Sequence, residues 1–271
     1  MMKKIKVLLM AMLFILILAA CGTEEDANSN SGDGGSDSDF DLVEDGKLTF
    51  ASSGEFKPFS YMDGSDMIGF DIAVGKAIAE KLGLEANPVK AKFSGIVTGV
   101  TEGRYDIAVA SHTITEERLE QVNFAIPYYY SGPVVYTRPD SDIKSADDLN
   151  GKEISVARGT TYIEMAEKYT DEIPQVDSDV VALQSLAKGR HDAVITDDIT
   201  GMTAIESGLE VEGRLQLGVS EQAIAVNKEN KALLDAINEA LQEMKDSGEL
   251  QALAEEWIGV DITKEPENIQ D

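Results

Sequence analysis

Three side chains of the kind that catalyse hydrolysis occur in the chain: Ser111, His112 and Asp197. A serine activated by a histidine, which an aspartate orients, can attack an acyl group. The spacing argues against that chemistry here, because Ser111 lacks the Gly-x-Ser-x-Gly elbow of α/β-hydrolases and adjacent residues on a strand point to opposite faces. We therefore assign no nucleophile to this chain.

Metal and disulfide chemistry have few candidate residues. The sequence contains one cysteine, Cys21, and two histidines, His112 and His191. One cysteine cannot form a disulfide within the chain, and these three residues do not make a cluster that could hold structural zinc. We expect neither a metal nor a cofactor.

The charge of the chain limits its partners. Its 271 residues include 50 acidic and 23 basic side chains, which gives a formal net charge of −27. A field this negative repels nucleic-acid phosphates, so we expect no nucleic-acid partner. Hydrophobic residues make up 43% of the chain, which is enough for the core of one large domain or two ordinary ones.

The N-terminus has the pattern of a secretion signal. Three lysines precede an apolar run of 14 residues, 7–20, whereas a helix that spans a bilayer needs roughly 20. We predict a signal peptide over residues 1–20. Small residues stand directly before Cys21, which resembles the bacterial lipobox and predicts a lipoprotein with palmitate or a similar chain on Cys21, held at the extracellular face of the cell membrane. The alternative is an ordinary signal peptide and a chance cysteine.

Residues 21–46 have the composition of a linker. They are acidic, rich in Gly and Ser, and poor in apolar side chains. Such a segment buries too little surface to offset the entropy of ordering it. We predict a disordered tether between the lipidated cysteine and a globular body that begins at Lys47.

Two halves of the body contain similar sequence segments. Residues 103–110 (GRYDIAVA) match residues 189–196 (GRHDAVIT), and in both an amphipathic helix ends at glycine before an apolar strand. This predicts an α/β fold with two lobes of similar build, each with a mostly parallel sheet.

Two crossings between the lobes complete this interpretation. The C-terminal helices have no strands of their own to cover, so we expect them to return to the first lobe. Crossings near Thr137–Ser141 and Leu217–Glu221 would form a hinge, and a cleft between hinged lobes is a ligand site. The predicted segments are lobe 1 at 47–137 and 218–262, lobe 2 at 138–217, and a tail at 263–271.

Several motifs occur in a recognisable order. They are Phe56-Lys57-Pro58-Phe59, Gly69-Phe70-Asp71, Phe93-Ser94-Gly95-Ile96 and Thr113-Ile114-Thr115-Glu116-Glu117-Arg118. The body resembles the amino-acid substrate-binding proteins of ABC importers, the bacterial extracellular solute-binding proteins of family 3. The resemblance implies a two-lobed periplasmic-binding-protein-like fold of type II, an amino-acid ligand, and membrane permease subunits as partners. With a lipobox, it resembles the Gram-positive, tethered form, and we expect a monomer.

The resemblance also implies roles for individual residues. Arg118 would hold the ligand α-carboxylate, since a guanidinium pairs with a planar carboxylate through two hydrogen bonds. Asp197 would accept the α-ammonium together with the carbonyl of Ser111. The remaining implied contacts are backbone donors at Thr113 and Thr161 and an aromatic sandwich from Phe56 and Phe93. The alternatives are a solvated ion pair for Arg118, ordinary core positions for the two phenylalanines, and Asp198 instead of Asp197.

Specificity has four candidate positions. Ser53 stands where relatives with cationic ligands often carry an acid, which disfavours lysine or arginine as the ligand. Arg158 is an unusual charge that reads the ligand side chain or points to solvent, and Ala157 and Thr160 flank it. Glutamine, glutamate, cystine, another polar amino acid and an osmolyte all remain candidate ligands.

Other functions stay open as alternatives. The site could hold another small zwitterion, such as the compatible solute ectoine. Some proteins of this fold are cyclohexadienyl-dehydratase-like enzymes, which need a general acid in the cleft. Glu55 is the one candidate for that role, and we expect a binding protein and not an enzyme.

Overall fold

The structure is a computed structural model that describes residues 40–265. The predicted signal peptide, Cys21, most of the tether and the last residues of the tail lie outside this range. Within it, no helix combines the length and apolar character that crossing a bilayer requires.

Strands and short helices alternate along most of the described chain. The strands are β1 Lys47–Ser52, β2 Glu55–Phe56, β3 Ser60–Asp63, β4 Asp66–Ile68, β5 Glu85–Lys90, β6 Ile107–Thr113, β7 Asn123–Phe124, β8 Tyr129–Ser131, β9 Pro133–Thr137, β10 Ile154–Ala157, β11 Gln175–Val176, β12 Ala193–Asp197, β13 Glu212–Gln216 and β14 Ser220–Val226. The α-helices are α1 Phe70–Lys81, α2 Ile96–Thr101, α3 Glu116–Leu119, α4 Tyr162–Glu167, α5 Asp179–Ala187, α6 Asp198–Glu206, α7 Lys231–Ser247 and α8 Glu249–Trp257, with 3₁₀ turns at Phe93–Gly95 and Ala146–Leu149.

Two sheets with the same strand plan form the two lobes. The first has the order β5-β1-β6-β14-β7, with β8 also paired to β14, and the second has the order β11-β10-β12-β9-β13. In each sheet the first three strands are parallel and the fourth runs antiparallel. The matching segments 103–110 and 189–196 lead into β6 and β12, which occupy the same third place in their sheets.

The first lobe is built around a core that draws on both ends of the described chain. Leu48 and Phe50 of β1 are fully buried and share this core with Ile237 of α7 and Leu250 of α8. The apolar residues of α7 recur at helical spacing, so the helix buries one apolar face in this core. The last two helices therefore belong to the lobe that begins the body.

The chain crosses between the lobes at Gly132 and Gly218. The first crossing joins β8 to β9, and the second joins β13 to β14. The boundary predicted at residue 137 is too late, because β9 pairs with β12 and β13 in the second sheet. The alternation of apolar residues through Val134 and Tyr136 is compatible with either sheet, so the sequence does not show which one this strand joins.

Residues 40–46 also differ from the prediction. Phe40 and Leu42 pack against the core of the first lobe, and the backbone N–H of Val43 donates to the Asp106 carboxylate at 2.7 Å. The same carboxylate accepts from the N–H of Thr49 on β1 at 2.6 Å. The end of the predicted tether is thus attached to the lobe by partly buried apolar side chains and by the Asp106 carboxylate, which accepts from both segments.

Candidate functional site

A cavity of about 380 Å³ lies between the lobes. Pockets for small molecules span roughly 300–1,000 Å³, so this one has room for a single small ligand. Its wall consists of Ser53, Glu55, Phe56, Lys90, Ala91, Lys92, Phe93, Ser111, Thr113, Arg118, Ala157, Thr160, Thr161, Tyr162, Asp177, Ser178 and Asp179.

The carboxyl ends of parallel strands from both sheets supply this wall. Ser53 follows β1, Thr113 ends β6 and Ala157 ends β10. Ligands of open α/β sheets bind outside the carboxyl ends of the strands, where loops can approach without disturbing the sheet. The topology therefore brings together residues that are far apart in the sequence.

Arg118 carries a partly buried positive charge into the cavity. Its Nη1 donates to the Thr113 carbonyl at 2.8 Å and its Nη2 donates to the Gly159 carbonyl of the other lobe at 3.0 Å. Thr115 fixes the start of α3, because its hydroxyl accepts from the N–H of Arg118 at 3.2 Å. Burial lowers the pKa of Arg118 from its ordinary value. Among the described residues no carboxylate lies within ion-pair distance of Arg118.

Aromatic rings cover one side of the guanidinium. Phe93 lies 5.9 Å from its central carbon and stacks on His112 with a centroid distance of 4.5 Å. Phe56 stacks on Phe59 at 5.0 Å, so it joins the cavity wall to the core. Burial, and then the charge of Arg118, lower the pKa of His112, so this ring stays neutral. The rings form an apolar surface that excludes water from a bound ligand.

Ser111 has a backbone conformation that is rare for a residue with a side chain. Its φ of 57° lies in the left-handed region. Its N–H donates to the Tyr128 hydroxyl at 3.0 Å and its hydroxyl donates to Asp71 at 2.9 Å, while Tyr128 donates to the same carboxylate at 2.6 Å. Strained residues persist at functional sites when their surroundings hold them, and here two buried side chains do so. The sequence motif Gly69-Phe70-Asp71 contains one of them, but its spacing does not show which residue it holds.

The second lobe contributes hydroxyl groups and one aromatic ring. Thr161 precedes α4, and the hydroxyl of Thr160 donates to the Ala157 carbonyl at 2.7 Å. Tyr162 is partly buried, and burial followed by the charge of Asp197 raises its pKa well above the ordinary value. It therefore lines the cavity as a neutral phenol.

Asp179 is a site residue that sequence reasoning missed. It is only 6% exposed and accepts from the Thr196 hydroxyl at 2.7 Å. Burial raises its pKa to about 6, although the Thr196 hydrogen bond opposes the shift. No cation within the described range pairs with it. Ser178 caps α5, so the sequence signal was a Ser-Asp helix start that follows a strand of the second sheet.

Asp197 lies beside the cavity wall and close enough to Tyr162 for its charge to act on that phenol, and its predicted contact with a ligand ammonium stays a prediction. It is 2% exposed and caps α6, accepting from the N–H of Ile199 at 3.0 Å and of Thr200 at 3.4 Å. Ser131, next to the first crossing, donates to its other oxygen at 2.5 Å. Burial and the adjacent charge of Asp198 raise its pKa. A residue at the end of a strand can face the cleft or cap the helix that follows, and the Oδ1 atom of Asp197 caps α6.

Arg158 also lies outside the cavity wall. Its backbone N–H donates to the Val176 carbonyl at 2.9 Å, and its exposed guanidinium donates to the Gln175 carbonyl at 3.2 Å. The side chain thus follows the edge of β11 and not the cleft. Ser53 does line the cavity, with its hydroxyl 3.2 Å from that of Ser60.

The two lobes touch across the mouth of the cavity. Lys92 pairs with Asp177 of the other lobe at 3.3 Å. A Cβ placed on Gly159 would lie 2.9 Å from the backbone of Ser94, so only glycine allows this approach. With the Arg118 hydrogen bond to the Gly159 carbonyl, these contacts define a closed arrangement.

The fold and the cavity define a two-lobed ligand-binding protein of the periplasmic type II class. The chain belongs to the bacterial extracellular solute-binding proteins, family 3, whose sequence profile matches residues 48–260.

Relatives and solved structures agree with this assignment. The chain is 33% identical over 229 residues to the L-cystine-binding protein TcyJ of Escherichia coli strain K12, covering 82% of this chain and 86% of that protein. It is 31% identical over 220 residues to the arginine-binding extracellular protein ArtP of Bacillus subtilis strain 168, covering 78% and 86%. The structure of an ancestral arginine-binding protein bound to arginine is 34% identical with a TM-score of 0.76, covering 79% and 99%. The predicted family and the predicted two-lobed fold are confirmed.

Proposed function

We propose that this protein captures a free amino acid outside the cytoplasm and delivers it to the permease subunits of an ABC importer. One observation carries the proposal. Of the charged side chains in the cavity wall, one partly buried cation, Arg118, and one buried anion, Asp179, have no ionic partner among the described residues. A buried charge without a partner is costly, and an amino-acid zwitterion supplies both missing partners.

The geometry gives each group a role. The guanidinium of Arg118 takes the ligand carboxylate, because its fork matches two carboxylate oxygens. Asp179, from the other lobe, takes the ammonium, and Phe56 and Phe93 cover the ligand side chain. The ligand bridges both lobes only when they are close, so binding favours the closed state over open ones.

Delivery and attachment follow from the same proposal. The closed form docks on the permease, while acylated Cys21 holds the protein, as a monomer, at the extracellular face of a Gram-positive cell membrane. Hydrocarbon burial contributes about 0.8 kcal/mol per CH₂, so two acyl chains suffice for stable attachment.

A binding role is favoured over catalysis by the state of Glu55. This residue, the one candidate for a general acid, pairs with Lys90 at 2.8 Å and its side chain is 47% exposed. A general acid of a dehydratase must meet its substrate in a protected site. An exposed, paired carboxylate at the cavity mouth does not supply one.

Replacement of Arg118 tests the proposal. We expect Arg118→Ala to weaken binding of the preferred amino acid by about 30- to 5,000-fold, since a desolvated carboxylate left unpaired costs about 2–5 kcal/mol. Arg158→Ala is the matched control, because that arginine lies outside the wall, and it should bind as the unaltered protein does. Titration calorimetry measures both. Equal affinities of the Arg118→Ala variant and the control would contradict the proposal.

A further inference from the structure

The motif Gly69-Phe70-Asp71 supplies none of the cavity wall, and the proposed function gives it no role. Its glycine has a φ of 123°, and a Cβ at that position would collide with the Phe59 carbonyl oxygen. The N–H of Asp71 donates to the same oxygen at 2.9 Å. The motif therefore fixes the start of α1 against Phe59 and places Asp71 in the first turn of this helix.

Asp71 is a fully buried carboxylate. It accepts from two hydroxyl groups, that of Tyr128 at 2.6 Å and that of Ser111 at 2.9 Å. The start of α1 favours the negative charge, because the helix dipole is positive there. An apolar side chain would nevertheless pack in such a place without the cost of desolvating a charge. The carboxylate therefore indicates a purpose other than filling the core.

Ser111 is the residue that Asp71 and Tyr128 hold. Tyr128 accepts from its backbone N–H at 3.0 Å, while Asp71 accepts from its hydroxyl, so the residue is held at two points. Its φ of 57° lies in the left-handed region, which a residue with a Cβ avoids because the Cβ approaches the following carbonyl oxygen. Ser111 lines the cavity. Since its hydroxyl is committed to Asp71, what it offers a ligand is its backbone.

We propose that Asp71 and Tyr128 are positioning residues for ligand binding, which hold Ser111 in the left-handed conformation that presents its backbone to an amino acid in the cavity. This role rests on the proposed function, because it requires a ligand beside Ser111. Only molecules with this backbone conformation are competent to bind, so the apparent affinity falls in proportion to their fraction. The two residues thus act on affinity through Ser111 and not by contact with the ligand.

Replacement of Ser111 separates its conformation from its side chain. Ser111→Ala and Ser111→Gly both remove the hydroxyl, but only glycine adopts a φ of 57° without strain. We expect Ser111→Gly to bind the preferred amino acid about 5- to 30-fold more tightly than Ser111→Ala, although glycine is the larger deletion. Titration calorimetry measures both affinities. Urea unfolding should also show that Ser111→Gly is the more stable of the two.

A double-mutant cycle tests the two positioning residues. Tyr128→Phe removes the hydroxyl that accepts from Ser111, and Asp71→Asn removes one of the two acceptor oxygens. We expect each change to weaken binding about 5- to 30-fold in the unaltered chain, but at most about twofold in the Ser111→Gly chain, where the backbone needs no holding. Tyr128→Phe keeps the ring and carries the test alone if circular dichroism shows that Asp71→Asn does not fold.

Asp106→Asn is the matched control for Asp71→Asn. Asp106 is also a buried carboxylate of the first lobe, and it also accepts two hydrogen bonds, at 2.7 and 2.6 Å. It lies outside the cavity wall. The control should therefore bind the ligand as the unaltered protein does, even where urea unfolding shows a loss of stability.

The outcomes separate this role from the proposed function. If Ser111→Gly binds no more tightly than Ser111→Ala, the role is wrong and the proposed function stands. The same holds if Tyr128→Phe weakens binding equally with serine and with glycine at position 111, or does not weaken it at all, because the phenol then serves only the packing of the lobe. If no amino acid binds to the unaltered folded protein, the proposed function fails and the role fails with it.

Discussion

Arg118 and Asp179 are the residues on which the chemistry of the cavity depends. Asp179 is buried and Arg118 is partly buried, and neither has an ionic partner within the described chain. The unpaired charge of Asp179 therefore lowers the stability of the ligand-free protein. Natural proteins retain such residues where function requires them. This gives the site a signature: removing the charge should strengthen the fold and weaken binding.

Asp179→Asn should show both effects. Because its pKa is raised, ionised Asp179 lowers the free energy of unfolding by roughly 3 kcal/mol at pH 7. The variant is free of this penalty, but it loses the Thr196 hydrogen bond, which costs about 1 kcal/mol. We therefore expect the free energy of unfolding to rise by about 1–2 kcal/mol in urea titrations, and ligand affinity to fall by about 30- to 5,000-fold.

Asp177→Asn is the control for this prediction. Asp177 lies in the same wall, but it is exposed and pairs with Lys92. Its replacement should change stability by less than about 0.5 kcal/mol. A loss of stability in Asp179→Asn, with affinity unchanged, would show that Asp179 serves the fold and not the ligand.

The pH dependence of binding should follow Asp179. Its pKa is raised to about 6, so the carboxyl is protonated below that value and cannot accept an ammonium as an anion. The affinity should fall about tenfold per pH unit below pH 6. Burial also raises the pKa of Asp71 to about 6, and Asp71 adjoins the cavity through Ser111. The variant shows which of the two residues causes the pH dependence, because calorimetry on Asp179→Asn should give a flatter pH profile. A profile unchanged in the variant would contradict the assignment.

The sign of the stability change is opposite to that of an ion-paired carboxylate. Between pH 4 and pH 6 the folded state binds more protons at Asp179 than the unfolded state does. The contribution of this residue to stability is therefore present at low pH and is lost as the pH rises through that window.

Individual site residues differed in how far the sequence revealed them. Arg118, Phe56, Phe93 and Ser53 stand in or beside motifs and do line the cavity. The sequence does not single out Asp179, because an acidic residue is common in the first turn of a helix, where the helix dipole favours a negative charge. No local pattern distinguishes such an acid from one that faces a cleft.

At the scale of elements, the crossing strands form the hinge. Gly132 and Gly218 lie against each other, since a Cβ on Gly132 would be 2.3 Å from the Gly218 carbonyl oxygen. Pairing continues on both sides, from Ser131 with Ser220 to Val134 with Gln216. The two segments therefore move together, and a side chain between them must push them apart.

Gly132→Ala should destabilise the protein by about 1–3 kcal/mol, the usual cost of forcing atoms into a packed region. Gly95→Ala is the matched control, because its φ is −110° and its Cβ would meet nothing within 4 Å. Urea unfolding followed by circular dichroism compares the two. Equal stability of both variants would contradict the close packing of the hinge.

The sheets show what an element pattern can and cannot predict. The Gly-terminated helix followed by an apolar strand, at 103–110 and 189–196, correctly indicated two lobes of similar build. The antiparallel fourth strand of each sheet comes from a distant part of the chain or from beyond a crossing. Strand composition does not indicate such long-range pairing, so the sequence alone does not show that β9 pairs with β12 and β13.

At the scale of the whole molecule, the proposed function requires the two lobes to open for the ligand to enter. Contacts across the mouth join Arg118 to Gly159 and Lys92 to Asp177. These contacts are few and polar, so water can replace the hydrogen bonds that are lost when the lobes open. The ligand supplies the additional contacts that favour closure.

The proposed attachment to the membrane depends on Cys21. Cys21→Ala should release the protein from the membrane fraction into the medium or leave it unprocessed, because the acyl chains supply the anchoring free energy. Immunoblots of membrane and soluble fractions measure this. A variant that remains processed and membrane-bound would contradict lipid attachment at this residue.

The most direct measurement is a crystal structure of the protein with its tightest amino-acid ligand. We expect the ligand carboxylate within hydrogen-bond distance of the Arg118 guanidinium and the ammonium within the same distance of the Asp179 carboxylate. An ammonium held by Asp197 with Asp179 out of reach, or a carboxylate bound away from Arg118, would contradict it.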